Sequence, residues 1–212
     1  SIFSFFILIS YSFFISHIFR TLLISIFTVP QFCVIIHFMK LIIGLGNPGP
    51  EYNLTRHNFG FLALDFYFKT HNLSWQTAKK FHSIYAKTKD AIFLKPQTCY
   101  NEVGLAAKEC ANFYKISLNQ IYVISDDFNL TFGQLRFREK GSSGGNNGLK
   151  SMEQYFCTTD FPRLRLGSGN NELRTKIGDA NFVLGRFTAE ESALLPQILQ
   201  EVSNYIDKIL NS

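Results

Sequence analysis

The sequence predicts an α/β fold: a single three-layer domain in which a mixed, mostly parallel twisted sheet is flanked by helices. Three observations predict it. After residue 39, short runs of aliphatic and β-branched residues alternate with longer runs whose apolar residues recur every three or four positions, the mark of strands and helices in turn. The chain has 212 residues, 46% of them hydrophobic, enough for one core of ordinary size. No internal repeat and no linker-like stretch divides it.

Residues 1–38 stand apart. They hold one formal charge, Arg20, and nine of the 23 phenylalanines, whereas every acidic residue lies later. Residues 1–19 nearly reach the about 20 apolar residues of a membrane span, with His17 against it. A secretory signal fits poorly, because the basic first region and the small-residue cleavage site are missing. We read 1–38 as an apolar extension outside the working domain, which then covers 39–212 with Met39 as its natural start. An anchor or targeting segment is the alternative.

Within 39–212, residues 40–45 (KLIIGL) read as a buried strand and residues 60–69 (GFLALDFYFK) as an apolar helix. Residues 83–88 and 91–95 flank Lys89-Asp90 as a hairpin. A helix over 104–114 and a β-branched strand over 121–125 follow. Residues 132–138 alternate Phe, Leu, Phe with Gln, Arg, Arg, as a half-buried strand does. The stretch 141–148, GSSGGNNG, is too rich in glycine for either element; LKSMEQYF after it reads as a helix and 163–166 as a strand. In the last helix Leu194, Ile198, Val202, Tyr205 and Ile209 form one apolar face.

Charge and cysteines narrow little. A net charge of +5 and a pI near 9.0 suit an anionic partner without separating nucleic acid from a small phosphorylated ligand. Cys33, Cys99, Cys110 and Cys157 form no C-x-x-C pair and read as reduced thiols rather than disulfides or zinc ligands.

Gly44-x-Gly46-x-x-Gly49 follows the first strand and has the spelling of a dinucleotide loop. That site works because a helix starts at the loop and offers its first amides to a pyrophosphate. Here Pro48 and Pro50 bracket the third glycine and EYNLTRHN delays the helix. Proline removes amide donors where phosphates need them. Asp65 is near the spacing of the ribose-binding acid but falls inside the helix, so the dinucleotide reading is set aside. The turn instead presents Asn47, Tyr52, His57 and Asn58 at a strand's carboxyl end, where open α/β sheets bind ligands.

Four polar clusters follow strands or lie in the loops after them: Asn47 with His57-Asn58, KPQTCYN ending in Asn101, Asp126-Asp127, and Asn146-Asn147. Histidine takes a proton near neutrality, and a carboxylate partner fixes its tautomer, so His57 and Asp126 are a candidate base and orienting acid. Asparagines offer donor and acceptor without charge, which suits a substrate with amide and ester carbonyls. The bland alternatives are a solvated histidine, a capping aspartate and an Asn-rich turn. His71 and His82 read as surface residues, and His17 and His37 lie in the extension.

Together GLGNPGPEYNLTRHNFG, KPQTCYNEVG, the Asp-Asp pair, GSSGGNNGLKS, FPRLRLGSG and NFVLGRF resemble the bacterial-type peptidyl-tRNA hydrolases, in that family's order and approximate spacing, from about Met39 to the C-terminus. The resemblance implies a monomeric α/β enzyme, without metal or organic cofactor, that hydrolyses the ester joining a peptide to the 3′ end of tRNA. It implies His57 as the general base that activates water and Asp126 as the residue that stabilises its proton-accepting form. Asn47 takes the position that helps separate N-blocked peptidyl-tRNA from free aminoacyl-tRNA. Tyr52, Cys99, Asn101 and Asn147 take positions that contact the tRNA end or the peptide. Arg138 and Arg165 match a clamp on the tRNA 5′ phosphate. We expect a cytoplasmic location.

Three positions depart from the family's pattern. Cys99-Tyr100 stands where an aromatic residue followed by Met is usual, so an aromatic stacking contact is moved by one position or lost. Asn146-Asn147 replaces His-Asn, removing a titratable group, and Arg138 replaces a more usual Lys. No serine elbow of the G-x-S-x-G kind appears, which favours direct attack by water. The competing readings are a non-catalytic RNA-binding module on the same scaffold and a nucleotide-dependent enzyme.

Overall fold

The computed structural model describes residues 39–212; the reading of 1–38, with His17, Cys33 and His37, lies outside the described residues. Seven strands occur among the described residues: β1 (Lys40–Gly44), β2 (Gln76–Ala78), β3 (Ser83–Lys87), β4 (Ala91–Pro96), β5 (Ile121–Thr131), β6 (Leu135–Arg138) and β7 (Arg163–Gly169). The α-helices are α1 (Phe59–Thr70), α2 (Val103–Tyr114), α3 (Asn147–Phe156), α4 (Asn171–Ile177), α5 (Asp179–Leu184) and α6 (Ala189–Asn211).

The strands form one sheet in the order β2-β3-β4-β1-β5-β7-β6. Its centre, β4, β1, β5 and β7, is parallel, while β3 and β6 run antiparallel to their neighbours and β2 pairs antiparallel with β3. Strands covered on both faces read as unbroken apolar runs, which explains KLIIG and AIFL. Leu41, Ile43 and Leu45 face Val103, Ala107 and Cys110 of α2 and Leu149 and Met152 of α3. Ile42 faces the other way, toward Phe59 and Leu64 of α1 and Ile198, Val202 and Ile206 of α6. The period of two in a strand thus builds two cores and three layers.

The glycine loop owes its composition to packing. A Cβ on Gly44 would lie 2.6 Å from the Gly60 carbonyl oxygen, and one on Gly46 would lie 2.5 Å from the Phe61 ring, so α1 rests directly on the end of β1. Gly49 has φ +114, a value that favours glycine. No helix starts in the loop; two 3-10 turns, Pro50–Tyr52 and Arg56–Asn58, precede α1.

Several expectations are corrected. β5 does not stop at Ser125 but continues through Asp126 and Asp127, with an irregular register between Asp127 and Thr131. β6 begins at Leu135, because Gly133, at φ +82, turns the chain where the alternation had suggested strand. The edge strand β2 and the helices α4 and α5 were not anticipated. In α6 the buried stripe runs through Ile198, Leu199, Val202, Ile206 and Ile209, which leaves Leu194 52% exposed. Cys99, Cys110 and Cys157 are free thiols, and burial pushes Cys110 up to about 12. Among the described residues no helix is long and apolar enough to cross a membrane.

Candidate active site

Beyond Gly44 the chain turns at Asn47, and Asn58 locks that turn. Its Oδ1 accepts the Asn47 amide proton at 2.8 Å and its Nδ2 donates to the Asn47 carbonyl at 2.9 Å. His57, one residue before, is thereby held beside β5, with Nδ1 2.9 Å from Asp126 Oδ1. Asp126 is buried because β5 lies between β1 and β7. An ionised carboxylate only accepts, so the proton of this bond belongs to His57 Nδ1, and in the neutral imidazole it is Nε2 that has the free lone pair.

Tyr100 completes the cluster. It opens the 3-10 turn Tyr100–Glu102, and its ring lies flat on His57 with centroids 3.5 Å apart and planes 20° off parallel. Its hydroxyl donates to the same Asp126 Oδ1 at 2.9 Å. Burial, with Asp126 adjacent, pushes the phenol well above its ordinary pKa, so it stays a neutral donor. Its backbone amide donates to Asn47 Oδ1 at 3.1 Å, which leaves the Asn47 NH2 group as the part offered to ligand.

These groups face a cleft of about 340 Å³ lined by Asn47, Tyr52, His57, Cys99, Asn101 and Asn147. An adjoining hollow of about 240 Å³ shares His57 and Asn147. Asn147 is the first residue of α3, so the cleft meets that helix at its amino end. Ala180, Val183 and Leu184 of α5 form an apolar wall of the cleft. Among the described residues no three His, Cys, Asp or Glu side chains cluster to hold a metal.

A sequence profile of the family described as Peptidyl-tRNA hydrolase matches residues 41–212. The chain belongs to the peptidyl-tRNA hydrolase family. It is 42% identical over 176 residues to a peptidyl-tRNA hydrolase of Clostridium botulinum, covering 81% of this chain and 90% of that one. It is 41% identical over 176 residues to that of Bacillus cytotoxicus, covering 82% and 94%. Among solved structures, the Acinetobacter baumannii peptidyl-tRNA hydrolase superposes with a TM-score of 0.69 at 29% identity, covering 82% of this chain and 93% of that one.

Within this peptidyl-tRNA hydrolase fold the two expected clamp residues lie apart from the cleft lining. Arg165, on β7, is opposite Arg136 on β6, and Arg138 is opposite Arg163. Residues two apart on a strand share a face, so Arg136, Arg138 and Arg165 project from one side of the sheet. Arg138 is exposed, whereas Arg165 is ion-paired to Asp127 at 2.8 Å. Sequence reasoning had no assigned role for Tyr100, for Asn146 or for the α5 wall. Tyr100 had been visible only as a departure from the family's pattern, Asn146 as a departure and as a member of the Asn146-Asn147 cluster, and NFVLGRF only as a matching segment.

Proposed function

We propose that this peptidyl-tRNA hydrolase cleaves the ester between peptide and tRNA by direct attack of a water that His57 deprotonates. The observation that carries the reading is the His57–Asp126 pair, 2.9 Å apart, at the wall of a cleft lined by three asparagines. The water gives its proton to Nε2 as its oxygen bonds to the ester carbon. The imidazolium so formed is held at Nδ1 by Asp126 and returns its proton to the ribose oxygen as the ester bond breaks. Asn101 and Asn147 have no side-chain partner among the described residues and are placed to donate to the carbonyl oxygen as it becomes negative.

Asn47 supports discrimination between substrates. With its oxygen taken by the Tyr100 amide, it presents NH2 donors, which match the carbonyl of a blocked amino acid and repel a free ammonium. Tyr52 and Cys99 contact the tRNA end or peptide in this reading, and Arg138 and Arg165 hold a tRNA phosphate. We infer that it acts as a monomer, since one chain supplies every group named, and in the cytoplasm, which its free thiols support.

The test is hydrolysis of N-acetyl-aminoacyl-tRNA beside unblocked aminoacyl-tRNA. The native chain should cleave the first and spare the second, and His57→Ala should lower kcat by about 100-fold or more with tRNA affinity nearly intact. Near-normal turnover by His57→Ala would remove His57 from the role, and cleavage of neither substrate by the native chain would favour an RNA-binding module.

A further inference from the structure

We propose that Tyr100 and Asn146 are positioning residues that clasp the catalytic pair, fixing the Asp126 carboxylate and bracing the imidazole of His57. The proposal rests on the reading of His57 as base.

The hydrogen bonds have one consistent direction. The α3 amide of Leu149 donates to Asn146 Oδ1 at 3.0 Å, and the Tyr100 hydroxyl lies 3.2 Å from the same oxygen. The Asn146 Nδ2 lies 2.9 Å from the Tyr100 hydroxyl, 3.1 Å from Asp126 Oδ1 and 3.2 Å from the Asp126 carbonyl. The Tyr100 hydroxyl has one proton to give; the carboxylate, being anionic, is the stronger acceptor and takes it. Asp126 Oδ1 therefore receives His57, Tyr100 and Asn146 together. A carboxylate held by three donors has little freedom to rotate away from the imidazole.

Burial alone would make Tyr100 an ordinary core tyrosine. What sets it apart is that one side chain touches both members of the pair: its hydroxyl binds the oxygen that orients His57, and its ring covers the imidazole face. When His57 accepts the water proton, the cation has Asp126 at its edge and the π face of Tyr100 below it. Both contacts strengthen as the charge forms, which is how a group outside the reacting atoms favours the transition state over the bound substrate. The surroundings are shaped for this ring. A Cβ on Gly148 would lie 2.6 Å from Tyr100 Cε1. The two positions also form one unit: Tyr100 and Asn146, two of the residues where this chain leaves the pattern it resembles, are in direct contact.

The experiment compares Tyr100→Phe, Tyr100→Leu, Asn146→Ala and the double variant Tyr100→Phe/Asn146→Ala in the full chain, with His57→Ala as reference. Hydrolysis of N-acetyl-aminoacyl-tRNA is measured alongside the NMR signal of the His57 Nδ1 proton. Tyr100→Phe should lower kcat by about tenfold with KM within about twofold, and Tyr100→Leu, which also removes the stacked ring, should lower it further. The double variant should fall little below the weaker single variant, because both act on one carboxylate. In Tyr100→Phe the Nδ1 proton signal should shift or broaden, which a loss of core packing elsewhere would not produce. Should Tyr100→Leu fail to fold, the near-isosteric Tyr100→Phe and the Asn146→Ala variants still decide. Unchanged kcat and an unchanged Nδ1 signal in Tyr100→Phe, with His57→Ala inactive, overturn the clasp and leave the base assignment intact. A rise in KM alone, or fully multiplicative losses in the double variant, also overturn it. Full turnover by His57→Ala ends both readings.

Discussion

At Arg165 the guanidinium Nη2 lies 2.8 Å from Asp127 Oδ2, while Nε is buried without an acceptor. The side chain is thus partly neutralised by Asp127, and its remaining exposed N–H groups are the ones a phosphate oxygen would meet. Arg138 shares its sheet face and has no partner among the described residues. If both bind the tRNA backbone, Arg138→Ala and Arg165→Ala should each raise KM several-fold with kcat nearly unchanged. Each should also reduce the slope of log(kcat/KM) against log salt by about one unit. Steady-state kinetics over a salt series checks this, and a slope equal to that of the native chain would take the residue out of phosphate binding. Charge was easy to read in the sequence here. The ion pair to Asp127 was not, because it depends on β5 running two residues beyond its apolar stretch.

The turn Arg56–Asn58 is braced by elements remote in sequence. Arg56 is fully buried; its Nη1 donates to the Ser168 carbonyl of β7 at 3.1 Å, its Nη2 meets Glu191 Oε2 at 2.5 Å, and its guanidinium lies 4.4 Å from the Phe182 ring of α5. Glu191 also closes the capping box of α6 with Thr188. One cation therefore joins the base-bearing turn to the cleft wall and to the last helix. Arg56→Met leaves the Glu191 carboxylate buried and uncompensated and should cost about 3–5 kcal/mol in urea unfolding. A loss under about 1 kcal/mol would show that the guanidinium is not needed there. Burial by itself would raise Glu191, but the Arg56 guanidinium and the Thr188 amide outweigh it and hold the carboxyl below its ordinary value. The stability this contributes is therefore present above the unfolded carboxyl range and lost as pH falls through the lower folded value. At this scale the sequence was legible where a pattern repeats. The buried strands announced themselves as apolar runs, and Asn47 and His57 fell in the segment after β1 as the topology requires, whereas Asp126 lies inside β5 rather than at its end. Residues 171–184 did not announce themselves, since NELRTKI and DANFVL are too short for a helical period to register and take their form from contacts such as Phe182 on Arg56. Tyr100 was hidden for a related reason, because a single aromatic residue at a turn carries no sign of which ring it will cover.

Among the described residues, 39–212, lie two cores, the cleft and a seven-stranded sheet. A chain beginning at Met39 should melt in one cooperative transition and cleave N-acetyl-aminoacyl-tRNA with kcat/KM within about twofold of the 212-residue chain. Calorimetry and the hydrolysis assay test this, and a loss of tenfold or more would make residues 1–38 part of the working unit. Lys40, at the start of β1, bears on how such a unit is completed. Burial holds its ammonium below the usual lysine range although Asp90 opposes the shift, and its Nζ donates to the carbonyls of Ile209 at 2.6 Å and Leu210 at 3.3 Å. The first strand of the described residues is thus fastened by the final turn of α6. The apolar face around Ile42 is covered partly by α1 and partly by α6, so an enzyme that serves translation cannot close this core until the far helix of its own domain has been made.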